Sequence, residues 1–221
     1  MKEREYQHIL FDLDGTITDP MEGITKSVSH ALASFGIEVK DRQTLCPFIG
    51  PPLKNSFIEY YNFTEEQAEA AIVKYRAYFS TKGIFENVMY EGMDELLGML
   101  TRKGKKLYLA TSKPEPFAKQ ILEHFKLNSY FTLIGGSTFD GSRSEKADVV
   151  KYVLEEAQIT DHAGVVMVGD RKYDIIGAKM NEIESIGVLY GYGDEDELRE
   201  AGADHIAANL SELLQVLLRK E

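Results

Sequence analysis

The chain has 221 residues, 43% of them hydrophobic, so it is long enough to bury a full α/β core and to carry one modest insertion. Its formal net charge of −11 argues against binding to nucleic acids or anionic membranes, because both partners require a basic protein face. The single cysteine, Cys46, excludes an internal disulfide, and together with the lack of a membrane-spanning apolar run or a signal peptide it predicts a cytoplasmic protein.

Two carboxylates near the start of the chain, Asp12 and Asp14, are its most informative feature. They follow a short apolar run at residues 8–11, which predicts a buried strand, and Gly15 with Thr16 ends that strand as a turn. An aspartate attacks phosphorus when a divalent cation neutralises the phosphate and a neighbouring acid protonates the leaving oxygen. Asp12 suits the first role and Asp14 the second, although an isolated motif of this kind also fits a simple turn.

Residues 20–84 lack the strand-like runs found in the rest of the chain and read as helical throughout. Apolar residues with helical spacing follow Pro20, which is typical of a first helical position. A capping-box pattern formed by Thr64 and Gln67 predicts a second long helix, and shorter helical pieces are expected at 45–61.

The domain boundaries follow from this helical block. We predict a catalytic core at 1–18 and 85–221, and a small all-helical cap at 19–84 that is inserted after the first strand and packs over the sheet edge. We expect the irregular loop around Gly50 to face the catalytic cleft and Lys54 to contact an anionic group of the substrate. The alternative for Lys54 is an exposed residue of the cap.

From residue 91 onward, strand-like and helical segments alternate. The pattern predicts strands at 106–110, 131–134, 165–169 and 185–188, and helices at 93–103, 116–125, 146–157, 174–180, 194–201 and 210–219. Such alternation is typical of a doubly wound parallel α/β sheet.

Polar residues follow two of these strands in positions that suit phosphate binding. Thr111 and Ser112 come directly after the strand at 106–110, so their hydroxyls and backbone amides can hold a phosphate oxygen. Lys146 begins an amphipathic helix, from which its ammonium can reach both a nucleophile and a phosphate. Taken alone, the hydroxyls also fit a helix cap, and the lysine also fits a solvated helix start.

Asp170 and Asp174 follow the apolar run at 165–169, which predicts a fully buried parallel strand. Their carboxylates are hard oxygen ligands, for which Mg²⁺ is the expected ion, although alone they also fit a turn and a helix cap. Lys113 and Arg171 are local cations that favour the approach of an anionic substrate, and Arg171 is a candidate for direct contact or for a solvated loop face. All these groups lie at the carboxyl edge of one predicted sheet, which indicates a single site.

The sequence resembles the haloacid dehalogenase-like superfamily of phosphohydrolases through the segment DLDGT at 12–16, the pair at 111–112, Lys146 and the segment GDRKYD at 169–174. The resemblance covers nearly the whole chain. It implies a Rossmann-like core and a small helical cap that closes over the active site and selects the substrate.

The resemblance also implies a role for each candidate residue. Asp12 is expected to form an aspartyl-phosphate, and Asp14 is expected to act as general acid and then as general base. The catalytic set is Asp12, Asp14, Thr111 and Lys146, of which the last two hold the phosphate. The Mg²⁺ ligands are expected to be Asp12, the backbone carbonyl of Asp14, Asp170 and, directly or through water, Asp174.

Within the superfamily, the sequence most resembles the phosphoglycolate phosphatase-like branch, some of whose members are assigned as 5'-nucleotidases. We therefore expect a Mg²⁺-dependent phosphomonoesterase, monomeric or a small homo-oligomer, that acts on a small phosphorylated metabolite of the phosphoglycolate or nucleoside 5'-monophosphate type. A β-phosphoglucomutase-like phosphomutase is the enzymatic alternative. The non-enzymatic alternative is a phosphorylation-switched, receiver-like signalling module, which needs neither a second acid nor a cap.

Overall fold

The computed structural model describes residues 5–218, and the chain divides into two compact units. One unit consists of the chain up to residue 18 together with the chain from residue 89 onward, and the other consists of residues 19–88. Between residues 5 and 218, no helix is both long enough and apolar enough to cross a membrane.

Eight strands and nine α-helices are present between residues 5 and 218. The strands are β1 (His8–Phe11), β2 (Thr18–Asp19), β3 (Val88–Met89), β4 (Lys106–Pro114), β5 (Phe131–Ser137), β6 (Val165–Gly169), β7 (Glu184–Val188) and β8 (His205–Ala207). The helices are α1 (Met21–Ala33), α2 (Leu53–Tyr61), α3 (Glu65–Phe79), α4 (Met93–Arg102), α5 (Glu115–His124), α6 (Lys146–Glu156), α7 (Lys172–Met180), α8 (Glu195–Ala201) and α9 (Leu210–Leu218).

The larger unit is built on a six-stranded parallel sheet with the order β5-β4-β1-β6-β7-β8, while β2 and β3 form a separate two-stranded sheet. Helices α4 to α7 and α9 pack directly on the strands of the large sheet. The predicted doubly wound α/β core is confirmed.

Strand β1 lies at the centre, where the strand order reverses. The chain runs from β1 to β4 and β5 on one side, and it then returns to β6, β7 and β8 on the other side. Phe11 is in register with Leu109 of β4 and with Val168 of β6, so Asp12 follows β1 at the level of Ala110, inside β4, and of Gly169, the last residue of β6. Open α/β sheets bind ligands at such a reversal, outside the carboxyl ends of the strands.

Apolar side chains on both faces of the sheet hold the larger unit together. Every residue of β6 is buried, as expected for a parallel strand covered on both sides. One cluster joins Leu10, Tyr108 and Met167 of three adjacent strands to Val149 and Val153 of α6. This packing fixes α6, and therefore its first residue, against the carboxyl half of the sheet.

The smaller unit is helical, as predicted for the inserted block. It consists of α1, α2 and α3 with two short 3₁₀ helices, Arg42–Phe48 and Gly83–Phe85. The predicted capping box is confirmed, because Thr64 and Gln67 exchange hydrogen bonds at the start of α3. Aromatic contacts of Phe57 with Phe48 and Phe63 form much of its interior.

Several local differences separate the structure from the sequence expectations. Strand β4 extends to Pro114 instead of ending at residue 110, because its polar end still pairs with β5, and the two-residue strands β2 and β3 were not expected. Helix α1 begins at Met21, one residue after Pro20, and the Asp19 carboxylate accepts a hydrogen bond from the Met21 amide at 2.9 Å. Helix α7 begins at Lys172, two residues before Asp174. Strand β8 was not expected, because its three residues are too few to show a strand pattern.

Candidate active site

The carboxyl edge of the central strands holds a buried lysine between two carboxylates. The ammonium of Lys146 lies 2.7 Å from Asp12 Oδ1 and 2.9 Å from Asp174 Oδ1, and it donates to the carbonyl of Ala110 at 3.0 Å. Asp12 continues the register of β1, because its amide donates to Val168 O at 2.9 Å. Lys146 therefore connects Asp12 to Ala110 of β4 and to Asp174 of α7.

The electrostatic surroundings keep Lys146 charged. Burial alone would lower the pKa of this lysine, but the charges of Asp12 and Asp174 outweigh it and raise the pKa above its ordinary value. For Asp174, burial raises the pKa to about 6, and the charge of Lys146 opposes the rise. The raised pKa thus favours the charged ammonium form of Lys146 at this position.

Three buried carboxylates form a group that fits a metal ion. Asp12, Asp170 and Asp174 each offer an oxygen, and the three oxygens lie within 4.8 Å of one another. Burial raises the pKa of Asp170 well above its ordinary value, and the charges of Asp174 and Asp12 raise it further. Hard oxygen donors crowded in this way suit Mg²⁺, which would relieve their mutual repulsion.

The balance of buried charges at this edge also favours a bound cation. Among the buried residues of this edge, four carboxylates share two ammonium groups: Asp12, Asp14, Asp170 and Asp174 with Lys113 and Lys146. An excess of buried negative charge is costly unless a cation or a proton compensates it. The donor set therefore fits a divalent cation by both chemistry and charge.

A glycine-rich loop after β7 encloses Asp170. The amide of Tyr192 donates to Asp170 Oδ2 at 2.8 Å, and the Thr16 hydroxyl lies 3.4 Å from Oδ1. A Cβ atom at Gly191 would lie 2.4 Å from the Cβ of Asp170, so only glycine permits this approach. The Tyr190 hydroxyl donates to the carbonyl of Thr16 at 3.1 Å and ties the loop to the turn after β1. This loop was not predicted from the sequence, in which the two glycines at 191 and 193 were the available signal.

Asp14 makes a second buried ion pair. Its Oδ2 lies 2.6 Å from the ammonium of Lys113, and both side chains are almost fully buried. Burial raises the pKa of Asp14, while the charge of Lys113 opposes the rise. Lys113 was predicted only as a local cation that favours substrate approach, and its pairing with Asp14 was not predicted.

Thr111 and Ser112 lie within β4, not after it as predicted, because the strand continues to Pro114 and Thr111 still pairs with Gly136 of β5. Thr111 is buried, and its hydroxyl accepts a hydrogen bond from the Lys113 amide at 3.2 Å. Ser112 is half-buried. The structure thus connects Thr111 through Lys113 to Asp14, while contacts of Thr111, Ser112 and Lys146 with a phosphate remain predictions.

Arg171 and Lys54 have carboxylate partners within their own units. Arg171 Nε lies 2.9 Å from Oε1 of Glu197 on α8, and the same oxygen accepts from the Lys172 amide at 2.8 Å. In the helical unit, the Lys54 ammonium lies 3.0 Å from both Glu65 and Glu69.

The loop residue Gly50 also belongs to the helical unit, and its φ of +104° is a conformation that glycine adopts readily. Substrate contacts by Gly50, Lys54 and Arg171 stay predictions.

Comparison with known proteins identifies relatives over almost the whole chain. The family model of the haloacid dehalogenase-like hydrolases matches residues 9–188. A 5'-nucleotidase of Pseudomonas aeruginosa is 46% identical over 213 residues, which cover 96% of each chain. The tyrosine-protein kinase PtkA of Mycobacterium tuberculosis is 38% identical over 96% of this chain and 72% of its own length.

Two further comparisons concern phosphatases. Phosphoglycolate phosphatase 1 of Pseudomonas aeruginosa is 30% identical over 93% of this chain and 78% of its own length. The crystal structure of a "predicted phosphatase" from Clostridium acetobutylicum superimposes with a TM-score of 0.94 at 52% identity, covering 97% of this chain and 99% of that chain.

Proposed function

This chain belongs to the haloacid dehalogenase-like hydrolases and is a phosphatase, and we propose that it hydrolyses small phosphomonoesters in a Mg²⁺-dependent reaction. The observation that carries the proposal is the buried group of Asp12, Asp170 and Asp174 around Lys146, with Asp14 beside it. Such a group provides a nucleophile, an acid and a metal site at one sheet edge.

In the proposed reaction, an oxygen of Asp12 forms a bond to phosphorus while the bond from phosphorus to the leaving oxygen breaks. Asp14 gives its proton to that leaving oxygen and becomes a carboxylate. A water molecule then attacks the aspartyl-phosphate, and Asp14 takes a proton from this water. Lys146 supports both steps because it holds Asp12 in place and supplies positive charge beside it.

Mg²⁺ would be held by Asp12, Asp170 and the backbone carbonyl of Asp14, with Asp174 as a further ligand, directly or through water. When bound, the ion neutralises negative charge on the phosphoryl group and on the buried carboxylates. Asp174 also has a second role, because its other oxygen accepts from the Arg171 amide at 3.1 Å at the start of α7. This contact restrains the orientation of the Asp174 side chain at the start of α7.

The proposed substrates are phosphoglycolate and nucleoside 5'-monophosphates, the two substrate classes that the names of the relatives suggest. We propose that the helical unit at 19–88 acts as the cap that selects among them. Gly50, Lys54 and Arg171 are the proposed substrate contacts, and the cytoplasm remains the proposed compartment.

The phosphomutase and the receiver-like module are less well supported than hydrolysis. The relatives named as phosphatases favour hydrolysis, and the acid Asp14 is a component that a receiver-like module does not need. The kinase name of one relative concerns that protein, and the test below includes phosphotyrosine for this reason.

Phosphate release tests the proposal directly. Inorganic phosphate is measured with phosphoglycolate, nucleoside 5'-monophosphates, sugar phosphates and phosphotyrosine, each with Mg²⁺ and with EDTA. We expect Mg²⁺-dependent release concentrated on one substrate class. The control variant is Asp196→Asn on the exposed first turn of α8, which should retain full activity, whereas Asp12→Asn should lose it. No release from any substrate would contradict the proposal.

A further inference from the structure

Lys113 is a buried cation that the catalytic scheme above does not use. It is 8% exposed, and its ammonium lies 2.6 Å from Asp14 Oδ2. A lysine in such a place is costly to bury unless a carboxylate pairs with it, and removing one partner leaves an uncompensated charge. The position of Lys113 is therefore coupled to the position of Asp14.

An irregularity in β4 brings Lys113 to this place. Thr111 is in register with Gly136 of β5, but the next pair joins Pro114 to Ser137, so two residues of β4 bulge out of the ladder. Bulges of this kind redirect a side chain next to an active site. The Lys113 amide donates to the Thr111 hydroxyl, and a Cβ atom at Gly136 would lie 2.7 Å from the Lys113 carbonyl. The bulge is thus held by the hydrogen bond to Thr111 and by close packing against Gly136.

The two oxygens of the Asp14 carboxyl have different surroundings. Oδ2 is held by Lys113, whereas Oδ1 is buried and has no hydrogen-bond partner among residues 5–218. A buried polar atom without a partner is unusual and indicates a group that acts on something else. The ion pair therefore anchors Oδ2 of Asp14 and leaves Oδ1 available for contact with a substrate.

We propose that Lys113 positions Asp14 for proton transfer by anchoring Oδ2, so that Oδ1 exchanges the proton with the leaving oxygen. The proposal rests on the phosphatase reaction above. When the bond from phosphorus to the leaving oxygen breaks, the electron pair stays on that oxygen, which takes the proton from Oδ1. Lys113 gives up no proton and makes no bond, but its charge lies beside the carboxylate that forms. Lys113 is therefore a positioning residue.

Lys105 provides a matched control in the same unit. It is 5% exposed and pairs with Glu5 at 2.7 Å, immediately before the start of β4 and far along the strand from Lys113. Replacing Lys105 with Met removes a buried ammonium from its carboxylate partner without touching Asp14. Any loss that results from a missing buried charge alone should appear in both lysine variants.

The test is the dependence of kcat/KM on the leaving group, measured with a series from p-nitrophenyl phosphate to an alkyl phosphate. A good leaving group needs no acid, whereas an alkoxide does, and a positioned general acid contributes about 10²–10⁴-fold. We expect Lys113→Met to lower kcat/KM for the alkyl phosphate by about 100-fold and for p-nitrophenyl phosphate by less than about threefold. Lys105→Met should leave the dependence unchanged, and Lys113→Arg should restore part of it.

Because Lys113→Met leaves a buried carboxylate unpaired, Asp14→Asn is measured alone and together with Lys113→Met, which removes both charges. If Lys113 acts through Asp14, the double variant has the same leaving-group dependence as Asp14→Asn alone. An equal loss on all substrates, or a double variant with independent losses, would overturn the proposal. Wild-type hydrolysis of p-nitrophenyl phosphate is the separate test of the phosphatase activity itself, so the two failures are distinguishable.

Discussion

The two edges of the parallel sheet both bury charged groups, but they balance them differently. At the amino edge, Lys105 pairs with Glu5 at 2.7 Å, and the Tyr6 hydroxyl donates to Glu184. Each of these charged groups has a partner of its own. At this edge Lys105 is buried, whereas the carboxylates Glu5 and Glu184 are exposed, so neither of these two carboxylates adds buried negative charge.

At the carboxyl edge, carboxylates outnumber ammonium groups among the buried residues. Asp12 and Asp174 share Lys146, Asp14 pairs with Lys113, and Asp170 accepts only neutral donors in the contacts described above. Burial raises the pKa of Asp170 and of Asp174, the charges of neighbouring carboxylates raise both further, and this crowding works against stability. The difference supports the proposal that this edge serves to bind a cation and to carry out chemistry rather than to hold the fold together.

The largest expected effect is on the nucleophile. Asp12→Asn should lower kcat by about four orders of magnitude or more, because it removes the attacking oxygen without changing side-chain volume. Glu5→Gln at the amino edge should change kcat by less than about twofold, because it lies outside the site. Steady-state phosphate release measures both variants. Near-normal turnover by a folded Asp12→Asn protein would contradict the proposal that the carboxyl edge, unlike the amino edge, is catalytic.

Metal binding should respond next most strongly. Asp170→Asn should weaken the affinity for Mg²⁺ or Mn²⁺ by at least about 100-fold, because it neutralises one of three carboxylates grouped within 4.8 Å. Isothermal titration calorimetry measures the affinity without reference to turnover. An unchanged metal affinity in the variant would exclude Asp170 as a ligand. Metal binding would then not explain why Asp170 is buried among other carboxylates.

The same variant should gain stability when no metal is present. A carboxyl whose pKa is higher in the folded than in the unfolded state binds more protons when folded, so its contribution to stability falls as pH rises. For Asp170 the fall begins above the ordinary value of 3.8, because burial is the main cause of the raised pKa. In EDTA, Asp170→Asn should gain about 1–4 kcal/mol at neutral pH, and the gain should shrink as the pH falls towards 4. Thermal unfolding at several pH values measures this, and a loss of stability at neutral pH would contradict it.

The smallest expected effect concerns the loop around Asp170. Gly191→Ala places a Cβ atom 2.4 Å from the Asp170 side chain, so it should destabilise the fold by about 1–3 kcal/mol and weaken metal affinity by about tenfold. Gly98→Ala on α4 is the control, because its nearest neighbour is the movable end of Arg102 at 3.2 Å. Equal effects of the two substitutions would show that the loop does not position Asp170.

Much of the fold and site could be predicted because the relevant signals are local. The apolar run before Asp12 and the turn after Asp14 identify a strand and its carboxyl end, and parallel register then brings Asp12 level with Ala110 of β4 and with the end of β6. Lys146 and Asp170 could be placed in the same way, as the first residue of a helix and the residue after a buried strand.

The rest depends on pairing that the sequence does not display. Lys113 reaches Asp14 because β4 bulges against β5, and a bulge is defined only by the partner strand. The loop at 189–193 encloses Asp170 through the backbone amide of Tyr192. Because any residue except proline supplies such an amide, the sequence does not reveal this contact. Strand β8 was missed because its three residues are recognisable only from their pairing with β7.

The most direct test of the central claim is to trap the phosphorylated enzyme. The protein is mixed with a hydrolysed substrate and Mg²⁺, quenched in acid and analysed by mass spectrometry for a phosphate that hydroxylamine removes. We predict that the phosphate is on Asp12 and that it is absent from Asp12→Asn. A phosphate attached to another residue, or turnover with no trapped phosphate on Asp12, would contradict the assignment of this edge as the catalytic one.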